Sequence, residues 1–274
     1  MTDLKINAAG FLLALRHNGR LAGYLMLANI RAACPSTRRF VTEAVMMLLN
    51  NLLYLLIWVF YFAQFQQLNG YRLADMAVIY AASCISFGLM ALLADGVRSL
   101  SRYITTGELD RFVTMPCHPL LTVVFSRSNA SGLGDIASGL LVWLTLAHGS
   151  VLDVPLLMLI ALLCAIIGAC LLLSVHALAF WGAASDRAAE EVYISFLIIG
   201  NYPTNIYSPI VKAFLFTVFP AGLIAAMPLA ILQQHHGWAL PVLLLASGIW
   251  LALASWIFRR GMRRYVSGNQ IFAA

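Results

Sequence analysis

Apolar and polar positions fall in long blocks. Ala44 to Ala63, Met76 to Ala94, Ile136 to Leu152 and Val154 to Ser185 each contain no Asp, Glu, Lys or Arg. From Val192 to Phe258 the one formal charge is Lys212. A membrane-spanning helix needs about 20 mainly apolar residues. These blocks predict four spans before residue 190 and one more ahead of the basic run Arg259 to Arg264. The stretch between Glu191 and His235 holds a further crossing and surplus apolar residues. It is interrupted by Pro203, Pro209, Pro220 and Pro228, each of which removes a backbone donor. A re-entrant pair of short helices over 203–235 accommodates the surplus, and such backbone survives at membrane depth only where protein or a wet cavity surrounds it.

Charge sets the expected orientation. Segments 1–43, 97–130, 183–191 and 259–274 hold every Lys and Arg except Arg72 and Lys212. Basic residues concentrate on the cytoplasmic side, so both termini are expected there and the number of crossings is even. The N-terminal 40 residues predict an amphipathic helix in the inner interface. Arg16, Arg20 and Arg31 share one side, and Phe11, Leu15, Leu21, Ala22 and Leu25 lie on the other. The fold class is thus an all-α integral membrane protein with six transmembrane helices. It forms one domain over 1–274, with the interfacial helix at 1–40, a loop region at 98–119, the re-entrant region at 203–235 and a cytoplasmic tail at 259–274.

Composition agrees. The chain is 62% hydrophobic and 10% charged, where a soluble domain averages about 25% charged. The basic excess belongs beside membrane helices and does not call for a nucleic-acid partner. The five cysteines show no CxxC spacing, so neither a metal nor a disulfide role is expected. Neither GxxxxGK[ST] nor HExxH occurs, which excludes P-loop ATP binding and zinc-protease chemistry by those motifs. His235–His236 reads as a solvated outer loop. No catalytic and no metal-binding residue is expected.

Some polar residues fall inside the apolar blocks. Asn50 and Asn51 lie in the first span, Ser83, Cys84 and Ser86 in the second, and His176 near the inner end of the fourth. Such groups either bond across helices or line a substrate pathway. Asp135 follows Gly132 and Gly134, and Gly134 with Ser138 makes a small-xxx-small step. This pattern favours a packing contact over a proton relay.

The polar stretch TTGELDRFVTMPCHP, Thr105 to Pro119, lies between spans two and three. Thr105 and Glu108 have capping-box spacing, and Pro116 closes the segment. The pattern predicts a helix of two or three turns with Leu109, Phe112 and Val113 on one face. Glu108, Asp110 and Arg111 cover the rest. A helix this short is marginal alone and must dock, either on its own bundle or on a soluble partner.

Ile104, Gly107, Leu109, Asp110, Pro116 and Pro119 together resemble the cytoplasmic loop of ABC-2 type permeases. Met115 stands where that family often carries Arg. The run NYPTNIYSP, Asn201 to Pro209, with FPAGLIAAMP after it, resembles the same family. The resemblance implies the membrane subunit of an ABC exporter, which itself makes and breaks no bonds. It implies two copies of a separate ATPase that hold ATP and Mg, and a second permease as homodimer or heterodimer partner. The setting would be the bilayer of a bacterial-type cytoplasmic membrane, and the cargo an amphiphilic or hydrophobic compound. The coupling helix would comprise Ile104, Gly107, Glu108, Leu109, Asp110, Arg111, Phe112, Pro116 and Pro119. The pathway candidates are Asn50, Asn51, Ser83, Ser86, His176, Tyr202, Pro203 and Tyr207. An integral membrane enzyme acting on lipid would need a His, Asp or Glu cluster at one face. A secondary transporter would need internal repeats and several buried charges.

Overall fold

The structure is a computed structural model that describes residues 19, 23–32, 37–182 and 186–266. The predicted interfacial helix, with Arg16 and Arg20, lies largely outside these residues, as do 267–274 of the tail. Residues 23–32 are helical and form α1. They dock on the bundle through Asn29, whose side-chain amide donates to the Phe125 carbonyl at 2.7 Å.

The other helices are α2 (Thr37–Gln64), α3 (Leu73–Ala94), α4 (Leu100–Thr105), α5 (Asp110–Val113), α6 (Pro119–Val124) and α7 (Ser131–Thr145). After them come α8 (Val154–Ala177), α9 (Asp186–Gly200), α10 (Pro209–Thr217), α11 (Ala221–Leu232) and α12 (Ala239–Met262). Among the described residues, four stretches are long and apolar enough to cross a membrane: Phe40–Gln64, Leu73–Thr105, Val151–Trp181 and Ala239–Met262. The pair α10 and α11, bent by 94° at its break, makes a fifth if counted as one span. Helices α7 and α9 have 15 residues each, or about 22 Å, short of a core about 30 Å thick. The third span, expected to begin before Asp135 and to run to Leu152, does begin before it, at Ser131, but stops short at Thr145. Helix α7 begins at Ser131, where the Asn129 side chain accepts from the Ser131 amide at 3.0 Å. It stops at Thr145, where the chain folds back and the Gly149 amide bonds the Trp143 carbonyl at 2.9 Å.

Helix α3 is the axis of the bundle. Its start is held by Asp75, whose carboxylate accepts from the Arg72 amide at 2.7 Å and complements the helix dipole. Sequence pattern predicts an end at Ala94. Instead the helix tightens to a 3-10 turn over Asp95–Ser99 and continues as α4. The whole stretch rises about 50 Å, so one end carries the following loop beyond the apolar layer. That end, rich in arginine, is here termed the basic end.

Two apolar clusters stack along this axis. The one nearer the basic end gathers Phe87, Tyr103, Leu109, Ile167, Phe196 and Phe258, and the other gathers Trp58, Ile79, Trp143, Leu157 and Leu229. Helices α8 and α12 run side by side in the same direction, with Phe180 packed on Phe258 near their basic ends. The chain must therefore return to the opposite end before α12 begins. Side-chain contacts trace the route. Asn205 and Asn69 exchange bonds at 3.4 and 3.5 Å at that opposite end. Phe219, at the bend, packs on Phe196 of α9. Helix α11 then packs on both clusters, Ile224 and Met227 on the one nearer the basic end and Ala225 and Leu229 on the other.

Glycine permits the closest helix contact. A Cβ on Gly88 of α3 would lie 2.5 Å from the Gly132 carbonyl of α7, and one on Gly139 would lie 2.6 Å from the Ala81 carbonyl. On its other flank, a Cβ on Gly134 would lie 2.5 Å from the Ala44 carbonyl of α2. Backbone thus meets backbone, as small residues allow in membrane bundles. Gly132→Leu is expected to lower the thermal midpoint of the detergent-solubilised protein sharply, since overpacking costs about 1–3 kcal/mol or more. Gly248→Leu, on an open face of α12, should leave the midpoint in place. Equal midpoints for the two variants would contradict this packing.

Candidate functional site

Two places in the fold gather polar chemistry. The first is the loop at the basic end. Thr105 ends a helix there instead of starting one, its hydroxyl bonding back to the Ser101 and Arg102 carbonyls. Gly107 takes φ of +77°, and the Leu109 amide reaches back to the Tyr103 carbonyl at 2.9 Å. This reversal consumes the residues expected to form the first turn, so α5 is a single turn. Leu109 and Phe112 are buried, with the Phe112 ring 5.0 Å from that of Tyr103. Ile104 is buried beside them. Val113 does not share their face and is exposed, as is Met115. Arg111 covers the Tyr103 and Phe112 rings at 5.0 and 4.5 Å and lies 4.0 Å from Glu108. The outward surface is Glu108, Arg111, Val113, Thr114, Met115 and Pro116.

This loop is fastened to the end of the chain. The Tyr265 hydroxyl donates to the Gly107 carbonyl at 3.3 Å and shares a hydrogen bond with Asp110. Burial and the Asp110 carboxylate push the phenol up to about 12. The neutral phenol therefore holds the loop below pH 10, and the contact is lost as pH rises through about 12. On the far side, Pro119 opens α6, and the His118 ring nitrogen Nδ1 accepts from the Leu120 amide at 3.2 Å. Burial and Arg259 lower the His118 pKa. Its capping bond contributes above about pH 6.5 and is lost as pH falls through the lowered value.

The second place is a cavity of about 420 Å³ within the bundle. Helix α2 supplies Asn50, Asn51, Tyr54 and Ile57, α3 supplies Tyr80, Cys84 and Phe87, and α7 supplies Asp135. Tyr193, Leu197, Ile198 and Asn201 complete it on the α9 side. The Asn51 amide donates to Asp135 at 2.7 Å and to Ser138 at 3.2 Å. The Tyr80 hydroxyl donates to the Asn51 carbonyl at 2.8 Å, and the Tyr80 ring stacks on Tyr54. The Asn201 side-chain oxygen has no hydrogen-bond partner among the described residues.

Between loop and cavity lies an ionic cluster. Arg98 pairs with Glu190 at 2.6 Å and with Asp95 at 3.4 Å, and its guanidinium sits 4.4 Å from the centre of the Tyr193 ring. Arg127 reaches Asp95 at 3.8 Å and Ser99 at 3.1 Å. These contacts tie the 3-10 turn of the axis to α9.

Of the pathway candidates, the structure brings Asn50 and Asn51 together on the cavity. The Ser83 hydroxyl bonds the Gly200 carbonyl at 2.9 Å, joining α3 to α9, and the Ser86 hydroxyl bonds back to Ala82. His176 is buried at the basic end, 2.8 Å from the Ser101 hydroxyl, which also bonds Asp186. That hydroxyl has one proton; given to Asp186, it leaves His176 Nδ1 as the donor. Tyr202 packs edge-on to Trp58 at 5.4 Å at the opposite end, beside buried Pro203 and half-buried Tyr207. Asp135, expected to serve helix packing, joins α7 to α2 through Asn51 and in addition contributes a cavity wall. Tyr54, Tyr80, Tyr193 and Asn201 escaped the sequence reading. The spacing of Asn50, Asn51, Tyr54 and Ile57 along one helix face was the signal available for part of them.

The family model described as "ABC-2 family transporter protein" matches residues 48–268, most of the chain. Neither a curated protein nor a solved structure matches it. Removing the Tyr265 hydroxyl in Tyr265→Phe should loosen the loop. Loss of a hydrogen bond to a charged group, about 1.5 kcal/mol, speeds local opening, and tryptic cleavage after Arg111 should rise roughly tenfold. An unchanged cleavage rate would refute the latch.

Proposed function

The chain belongs to the ABC-2 family of transporter proteins, and from that premise we propose that it is the permease subunit of an ATP-driven exporter. A separate ATPase, in two copies, hydrolyses ATP with Mg and docks on the loop Thr105 to Pro119. A second permease, identical or related, completes the membrane unit. Both termini and the loop lie on the cytoplasmic side of a bacterial-type inner membrane, consistent with the concentration of arginine at that end. The six crossings are α2, α3, α7, α8, α9 and α12. Helices α10 and α11 enter and leave from the outer side, a reading supported by the Asn205–Asn69 contact and by Phe219 against Phe196.

One observation carries the coupling role. The loop is anchored inward by Leu109 and Phe112 and fastened by Tyr265, so its outward surface is held in a fixed position. Pressure from the ATPase on Val113 and Met115 passes into α4 and the 3-10 turn. Arg98 conveys it to Glu190 and Tyr193 on α9. Because α9 also walls the cavity, closing the ATPase pair changes access to it. Alternating access of the cavity to the two sides then moves an amphiphilic or hydrophobic compound outward.

Val113→Glu with Met115→Glu should remove most ATPase from the co-purified complex while the permease inserts and melts as before, since both side chains are exposed. The ATPase is cytoplasmic, so the same result fixes the side on which the loop lies. Undiminished co-purification and ATP-driven transport would sink the docking assignment.

A further inference from the structure

We propose that the cavity selects amphiphiles whose polar head is a protonated amine, with Asp135 as the anionic contact. This rests on the reading of the cavity as part of the transport pathway. Asp135 is 5% exposed and lies on a cavity wall. Its Oδ1 accepts from Asn51 at 2.7 Å, and no described basic side chain pairs with it. Arg98, which approaches the cavity through Tyr193, is committed to Glu190 and Asp95. A carboxylate in apolar surroundings needs a counter-charge or hydrogen bonds on its remaining lone pairs. Asn51 supplies one donor and leaves room for a cationic partner. A ligand ammonium meets that need, whereas an anionic head would be repelled and a neutral hydroxyl would leave the charge uncompensated.

The rest of the cavity fits the same ligand. Tyr54 and Tyr193 also line the cavity, and an aromatic face not already taken by Tyr80 or Arg98 is of the kind that attracts cations. Leu53 and Ile198 line the cavity and are also exposed, so it opens sideways onto the flank formed by α2 and α9. A hydrocarbon tail can lie there while the head reaches Asp135. A volume of about 420 Å³ lies within the range of small-ligand sites, about 300–1,000 Å³. The site thus recognises a compact amine head and leaves the tail length unread.

The test uses the full chain in phosphatidylcholine nanodiscs with Asn50→Cys, an exposed cavity position, labelled by N-ethylmaleimide and read at peptide level by mass spectrometry. Dodecylamine, dodecanol and dodecanoate are compared at equal mole fraction in the bilayer. Dodecylamine should slow labelling at least about tenfold more than dodecanol, the scale of a charge-assisted contact, and dodecanoate should protect least. Adding Asp135→Asn should erase the preference for amine, and adding Asp135→Glu should retain it. Equal protection by amine and alcohol in the Asn50→Cys protein overturns the proposal, whether or not the Asp135 variants fold. The ATPase co-purification through Val113 and Met115 involves none of these residues. Its success alongside unselective protection would remove the amine preference and leave the permease reading standing.

Discussion

The contact between α7 and α3 governs the rest of the arrangement. Gly88, Gly132 and Gly139 let the two backbones meet where any side chain would hold them apart. Gly134 does the same toward α2 on the other flank. At this separation Asp135 accepts from Asn51, and the Asn51 carbonyl accepts from Tyr80. In lipid there is no hydrophobic gain from joining two apolar helices, so close packing and interhelical hydrogen bonds must supply the association. Here the packing comes from glycine and the hydrogen bonds from one buried acid and one amide. Their shared geometry leaves a polar cavity at the seam.

Contacts on the basic-end half of the axis have a different character. They are ion pairs, a cation–π contact and hydrogen bonds: Arg98 with Glu190 and Tyr193, Arg127 with Asp95, His176 with Ser101, and Tyr265 with the loop. Such contacts at partial exposure are individually weak, but several converge on one 3-10 turn. That turn joins the loop to the axis and, through Arg98, to the one cavity wall that α2 and α7 do not supply and α3 does not own. A rigid unit of α2, α3 and α7 and a second wall on α9, linked by exchangeable polar contacts, is a construction that can move between two states.

Much of this was legible in the sequence. Charge-free blocks of about 20 residues give the long helices because length and apolarity alone decide them. The proline spacing pointed to a bent pair, and the structure bends at Val218 to Pro220. The loop's inward anchors Leu109 and Phe112 followed from helical spacing, but Val113 did not. Gly107 reverses the chain and shortens α5 to one turn, an effect of backbone conformation that periodicity cannot see. Asp135 was visible as an isolated acid beside glycines. Its place on a cavity wall depends on how closely three helices approach, which is a tertiary fact. Tyr193 on α9 and Asn201 just beyond its end are remote in sequence, and no local pattern brings them to Asn50.

The most direct test of the central claim, that the loop's load is felt at the cavity, is a distance across it. Spin labels at Asn50 on α2 and Ile198 on α9 report the separation of its two walls. In the complex with the ATPase, trapping nucleotide in the hydrolysis transition state should shift that distance distribution. A reference pair within the rigid unit, at Asn50 and Leu141, should stay in place. If the Asn50–Ile198 distance is the same with and without trapped nucleotide, the loop does not drive the cavity and the account fails.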